Sequence, residues 1–360
     1  MRITAPLVAA GLLLGACSSG GSDADPSVSA ATPQTTDAPT TITAPTTTTE
    51  ATTTTLSPEE AISFEVVEQT DTFTRLVISD ISGRNVADIS HGGAPETLNP
   101  RPIYVHIKRA LNRDQTLVTD RAVPLQMIGG YHNDGTINCL VPPNEVVVAC
   151  VGFPYMDQSK YTLETFDFRD IPNHAVDVSR AIDVILANPD LTTMIDAERI
   201  YYFGASMGGI TGSMFVHPDF RDERIMAIVS FLGAFPFWYD DLSERTNFDA
   251  GPPILMINKM KDTVVPYEFA TLSFAAAQGS PKVEIVSVFE GDHADFVTCP
   301  AVAAYQMAWI AHHVNGGPPP DPAVFDGSDC AAYGPQEGGT TGWGVRDDLL
   351  PDEAKSRFGS

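Results

Sequence analysis

The sequence predicts an α/β domain in which a mostly parallel sheet carries helices on both faces. Three observations lead there. Between about residues 100 and 315, short apolar segments alternate with longer ones of helical spacing. One short segment, Glu145-Val-Val-Val-Ala-Cys-Val151, is apolar almost throughout, which suits a parallel strand covered on both faces. A glycine-containing turn, Gly204-Ala-Ser-Met-Gly-Gly209, separates one strand from the helix after it. Strands alternating with helices imply a parallel sheet between two helical layers.

Before this body, Met1-Arg-Ile-Thr-Ala-Pro-Leu-Val-Ala-Ala-Gly-Leu-Leu-Leu-Gly-Ala-Cys17 has a positive start and an apolar run. At roughly ten residues the run is too short to cross a membrane as a helix, so it reads as an export signal. Leu14-Gly15-Ala16-Cys17 resembles the bacterial lipoprotein signal. That resemblance implies a lipid on Cys17, which becomes the mature N-terminus, and a place on the cell envelope facing the outside or the periplasm. An ordinary signal peptide with an incidental cysteine is the alternative. Residues 18–56 are rich in Ser, Thr, Pro and Ala and bury too little apolar area to offset their ordering entropy. They read as a tether between the membrane anchor and the body, which spans 57–315.

Within the body, Ala61 to Asp80 alternates apolar and polar positions, the mark of early antiparallel strands. Arg101–Ile107 and Glu145–Val151 follow as strands. Ala175–Ala187 is a helix, Glu198–Phe203 a strand, and the Gly204–Gly209 turn leads into a helix ending near His217. Strands are then expected at Ile225–Phe231, Pro253–Ile257 and Val283–Val288, with helices at Tyr267–Ala277 and Ala301–Val314. The long segment Leu111–Asn144 reads as a cover over the site, with Gly129-Gly130-Tyr131-His132 able to approach it. Residues 316–360, rich in Pro, Gly and Asp, read as a surface tail.

The 21 basic and 46 acidic residues leave a formal charge of −25. A field of that sign disfavours nucleic acid and anionic membrane surfaces as partners. Beyond Cys17, the four cysteines are Cys139, Cys150, Cys299 and Cys330, an even number that suits two disulfides in an exported chain. Of three possible pairings, Cys139 with Cys150 and Cys299 with Cys330 is the most economical. No pair has tight Cys-x-x-Cys spacing, so a metal site is not expected.

The chemistry centres on Gly204-Ala205-Ser206-Met207-Gly208, a Gly-x-Ser-x-Gly turn between strand and helix. In that context the serine sits on a sharp bend with its hydroxyl above the sheet. The Met207 N–H, at the start of the helix, is the first candidate donor to an oxyanion. A triad also needs an acid and a histidine later in the chain. Asp262 lies in the loop after Pro253–Ile257, on the rim where ligands meet such a sheet. His293 lies in the loop after Val283–Val288, where it can reach back to Ser206 as base while Asp262 orients it. His106, His217, His312 and His313 lie within or at the ends of regular elements and are less suited. Asp292 and Asp295 compete with Asp262 as orienter, but adjoin the base too closely to approach its far side.

From about residue 100 to 315, these features resemble the α/β-hydrolase superfamily. Asp196-Ala-Glu-Arg-Ile-Tyr-Tyr-Phe-Gly-Ala-Ser206-Met-Gly-Gly209 and Lys261-Asp262-Thr-Val-Val-Pro266 look like its secreted esterase, depolymerase and prolyl-oligopeptidase-like branches. The resemblance implies an eight-stranded sheet, an acyl-serine intermediate and no metal or organic cofactor. Many such proteins carry His-Gly after the strand supplying the second oxyanion amide. With Pro102–Ile107 as that strand, Lys108 or Arg109 would supply the amide. His91-Gly92-Gly93 precedes the strand and reads as a turn, with the oxyanion motif itself as the alternative.

The aromatic stretch Phe235, Phe237, Trp238 and Tyr239 lies on the same rim and is either an acyl pocket or a packed loop. Carboxylic ester hydrolysis, on a small or polymeric substrate, is the leading expectation. Amide or peptide hydrolysis uses the same groups, although no propeller-sized region precedes the body. A non-catalytic binding lipoprotein on the same fold is the third reading. The chain is expected to act as a monomer.

Overall fold

The computed structural model describes residues 64–79, 103–130, 144–152, 171–235, 248–277, 280–295 and 299–341. The export signal with Cys17, the tether, His91-Gly92-Gly93 and the last residues of the tail lie outside them.

Among the described residues, ten strands form one sheet: Phe64–Gln69 (β1), Phe73–Ile78 (β2), Ile103–Lys108 (β3), Val123–Gly130 (β4), Val147–Gly152 (β5), Ile195–Ala205 (β6), Ile225–Phe231 (β7), Ile254–Lys259 (β8), Val283–Val288 (β9) and Ala331–Tyr333 (β10). Their spatial order is β1-β2-β3-β5-β4-β6-β7-β8-β9-β10. The central strands from β5 to β9 run parallel. Strands β1 to β3 join antiparallel at one side, and β10 closes the other antiparallel to β9. The α/β expectation thus holds, with a mixed sheet wider than the eight strands anticipated.

Helices Ile171–Ala187 (α1), Pro189–Thr192 (α2), Met207–Ser213 (α3), Tyr267–Ala276 (α4) and Pro300–Asn315 (α5) cover the sheet. Alternation along the buried strands sorts them into layers, because successive strand side chains face opposite ways. Ile200, Tyr202, Ile254, Met256 and Ile285 pack with residues of α1, α3 and α4 in one core. Tyr201, Phe203, Leu255, Ile257 and Val286 pack with Val302, Tyr305 and Trp309 of α5 in the other. In α1, Ala175, Val178, Ala181, Ile182 and Ile185 are buried at the helical spacing that makes a single apolar stripe. Trp309 is also fully buried, and its ring N–H donates to Glu284 Oε1 at 2.9 Å, so the burial leaves no indole donor unpaired.

Two strands depart from expectation. The first, β4, comes from Leu111–Asn144, the segment read as a cover, yet it lies mid-sheet between β5 and β6. Its sequence, Val-Pro-Leu-Gln-Met-Ile-Gly-Gly, hides the strand behind a proline, a glutamine and two glycines. The proline is tolerated because the register with β6 shifts between Val123 and Leu125, where a missing N–H breaks no regular pair. The second, β10, belongs to the expected surface tail. It pairs Ala331 with Val288 and Tyr333 with Val286, and the Cys299–Cys330 disulfide fastens it to the start of α5, as the economical pairing anticipated. Cys150 in β5 is also disulfide-bonded; Cys139, its expected partner, lies outside the described residues.

Candidate active site

Ser206 stands between β6 and α3 with φ 55° and ψ −122°, a conformation that a non-glycine residue adopts only under strain of about 1–3 kcal/mol. The surroundings enforce it. Ser206 N–H donates to Phe231 O on β7 at 2.8 Å, and Ser206 O accepts from Ile210 N–H at 3.0 Å. A Cβ on Gly204 would overlap the Gly208 carbonyl, and one on Gly209 would come within 2.9 Å of Phe231 O. Both glycines are therefore required by close backbone approach, so β6 turns into α3 within one residue.

The next two groups arrive on the loops after β8 and β9. His293 Nε2 lies 2.8 Å from Ser206 Oγ, and His293 Nδ1 lies 2.7 Å from Asp262 Oδ2. With a carboxylate on Nδ1, that nitrogen carries the proton, and Nε2 is left to accept from the serine hydroxyl. Asp262 is fully buried. Its other oxygen accepts from Val264 N–H at 2.9 Å and Val265 N–H at 2.8 Å, which satisfies a charge that would otherwise be costly to bury. The structure thus brings together the three residues that the sequence singles out, from the ends of three parallel strands.

The competing acids hold backbone instead. Asp292 accepts from Thr263 N–H at 2.8 Å and from its own neighbour His293 N–H at 2.7 Å. The Thr263 amide, aided by its hydroxyl and by His293, keeps the Asp292 carboxyl below the ordinary carboxylate range. Asp295 Oδ2 accepts from Asp292 N–H at 2.7 Å. The Thr263 bond clips the acid-bearing loop to the base-bearing loop, and the other two shape the base-bearing loop itself.

Beneath both loops lies Lys259, at the end of β8 and 2% exposed. Its Nζ donates to Asp292 O at 2.7 Å, His293 O at 3.3 Å and Asp295 O at 2.5 Å. Burial lowers the ammonium from its ordinary value, against the opposing pull of Asp262, Asp295 and Asp292. On the outer side, Thr340 Oγ1 donates to Asp262 O at 2.6 Å, and Thr340 N–H donates to Met260 O at 2.8 Å. Sequence reasoning missed both residues. A lysine ending a strand that begins with four apolar residues was a usable signal; a threonine far along a polar tail was not.

The expected second oxyanion donors are not at this site. Strand β3 runs antiparallel to β5, pairing Lys108 with Val148 at the start of β5, so Lys108 and Arg109 leave the sheet at the end opposite Ser206. Arg109 N–H is moreover bonded to Thr72 O at 2.9 Å. The strand that ends beside the serine is β4, whose Gly129 pairs with Gly204; Tyr131 and His132 beyond it lie outside the described residues. Met207, in contrast, is the first residue of α3, where an amide has no acceptor within its own helix.

Phe235 packs inward. It is 4% exposed, packs edge-on against Phe248 with ring centres 4.8 Å apart, and its N–H donates to Ser273 Oγ at 2.8 Å. Phe237, Trp238 and Tyr239 lie outside the described residues. Of the other histidines, His312 Nδ1 meets Gly317 O at 2.8 Å beyond α5, and His217 Nδ1 accepts from Asp219 N–H at 3.1 Å. Among the described residues, no group of three or more His, Cys, Asp or Glu side chains is arranged to hold a metal ion. No family model and no curated protein matches this chain.

Proposed function

We propose that the chain is a serine hydrolase of the α/β-hydrolase type, acting on carboxylic esters through an acyl-serine intermediate. The observation that carries the reading is the continuous hydrogen-bond chain from Ser206 Oγ through the His293 ring to a fully buried Asp262, with the serine held in a strained turn at a strand end. Structural serines need neither the strain nor the relay.

In the proposed reaction, His293 Nε2 takes the proton as Ser206 Oγ attacks the carbonyl carbon, and Asp262 stabilises the imidazolium that forms. The Met207 amide, at the start of α3, faces the developing oxyanion. His293 then protonates the leaving alcohol and activates the water that releases the acid. Export and lipid attachment at Cys17 are part of the same proposal, placing the enzyme on the cell envelope.

The test is hydrolysis of p-nitrophenyl esters from acetyl to palmitoyl by the full chain and its Ser206→Ala form, with a serine-directed phosphonate as label. Turnover with a chain-length optimum, lost on the order of a millionfold in the variant, and phosphonylation of Ser206 are expected. Faster turnover of matched amides would favour a peptidase, and absence of both label and turnover would favour a binding protein.

A further inference from the structure

We propose that Lys259 is a positioning residue, whose side chain ties the loop carrying His293 to the strand leading to Asp262 and so holds the imidazole between acid and serine. The inference rests on the triad reading above and extends it to a residue outside the triad.

The argument begins with stoichiometry. An ammonium has three N–H donors and no acceptor, and three carbonyls of one loop, those of Asp292, His293 and Asp295, surround Lys259 Nζ. Three carbonyls turned inward at a buried point need a donor or a cation. Bonds within the loop join near neighbours, His293 N–H to Asp292 and Asp292 N–H to Asp295. With Gly291 in the left-handed region at φ 88° and no regular element from Phe289 to Asp295, its position over the sheet depends on ties to other segments, through Thr263 to Asp292 and through Lys259. The backbone of Lys259 is fixed in the sheet, paired with Val288 immediately before that loop. One rigid strand therefore carries a side chain that gathers the base loop, while three residues later the same chain provides the acid. Displacing the loop by about 1 Å would lengthen either bond of the imidazole, a change that costs about a hundredfold in rate.

Lys259→Met keeps the length of the side chain and removes all three donors, while Lys259→Gln retains an amide donor without the charge. Each is compared with the wild-type full chain by phosphonate titration of active sites, by kcat and KM on the preferred ester, and by the far-downfield proton resonance of the His293 Nδ1–H. The expected result for Lys259→Met is a kcat per titrated site about a hundredfold lower, with KM changed less than about threefold and the downfield resonance lost or broadened. Lys259→Gln should be intermediate. An unchanged kcat per titrated site and an unchanged resonance, with only melting temperature or active fraction reduced, would overturn the proposal by making Lys259 a residue of stability alone. Failure of both variants to fold would overturn it in the same way. Should the wild type neither label nor turn over, the hydrolase reading fails, yet the resonance still decides whether Lys259 holds His293 against Asp262.

Discussion

Single atoms decide the chemistry at Asp262. One carboxylate oxygen holds the imidazole at 2.7 Å, and the other is occupied by two backbone amides. Asp262→Asn preserves volume but presents an amide whose NH2 group can face Nδ1, stabilising the wrong tautomer and no longer balancing the imidazolium. If the proposed triad acts, kcat per active site falls by about 10⁴, the loss that triads show without this charge, with little change in melting temperature; ester kinetics with phosphonate titration measures the first, and thermal unfolding the second. Ser206, Asp262 and His293 were legible in the sequence because each sits beside local punctuation: a glycine turn after a strand, a loop after an apolar run, and a glycine before the histidine. Lys108 and Arg109 misled because the direction of β3 is set by its neighbours, and no local pattern distinguishes a strand running up from one running down.

The tail is the element whose role grows most on folding. It adds β10 to the sheet, is cross-linked to the start of α5 by Cys299–Cys330, and near the end of its described course places Thr340 on the acid loop, where the threonine also accepts from Tyr267 N–H at 3.0 Å. Tyr267 carries the contact further, since its hydroxyl accepts from Gln336 N–H at 2.8 Å. The disulfide spans a sequence separation of 31, for which loop closure alone is worth about 3–4 kcal/mol. Cys299→Ser with Cys330→Ser should therefore lower stability by about that amount and also reduce kcat, because the strap on Asp262 loosens. Chemical denaturation and ester kinetics check the two parts. A stability loss with kcat intact would show that the strap serves the fold alone.

Across the whole molecule, the acidic excess makes stability sensitive to pH through a few buried carboxylates. Asp222 is the clearest. Burial alone would raise its carboxyl, but the hydrogen bonds and charge of Arg224 override this and hold it below the ordinary value. Arg224 also reaches Asp183 of α1 at 2.7 Å, so this network joins the helical layer to the start of β7. A carboxyl depressed in the folded state contributes stability above its unfolded value near 3.9, and that contribution disappears as pH falls through the folded value. Asp222→Ala should thus destabilise the protein by about 1–3 kcal/mol at neutral pH. The gap between wild type and variant should narrow as the solution is acidified, as denaturation at a series of pH values would reveal. Comparing the two proteins cancels the general easing of charge repulsion in acid.

Residue types and their local spacing were enough to define the α/β class, most strands and helices, and the three residues of the proposed triad. Those features depend on backbone propensity, hydrophobic period and turn chemistry, which act over a few residues. Tertiary structure alone decided that β4 lies beside β6 despite its proline and glycines, that β3 runs against its neighbour, that Phe235 packs inward, and that Lys259 and Thr340 hold the two loops of the site. Each of these depends on which distant segments meet, and pairing is set by the joint burial of many residues, information that no short stretch of the chain contains.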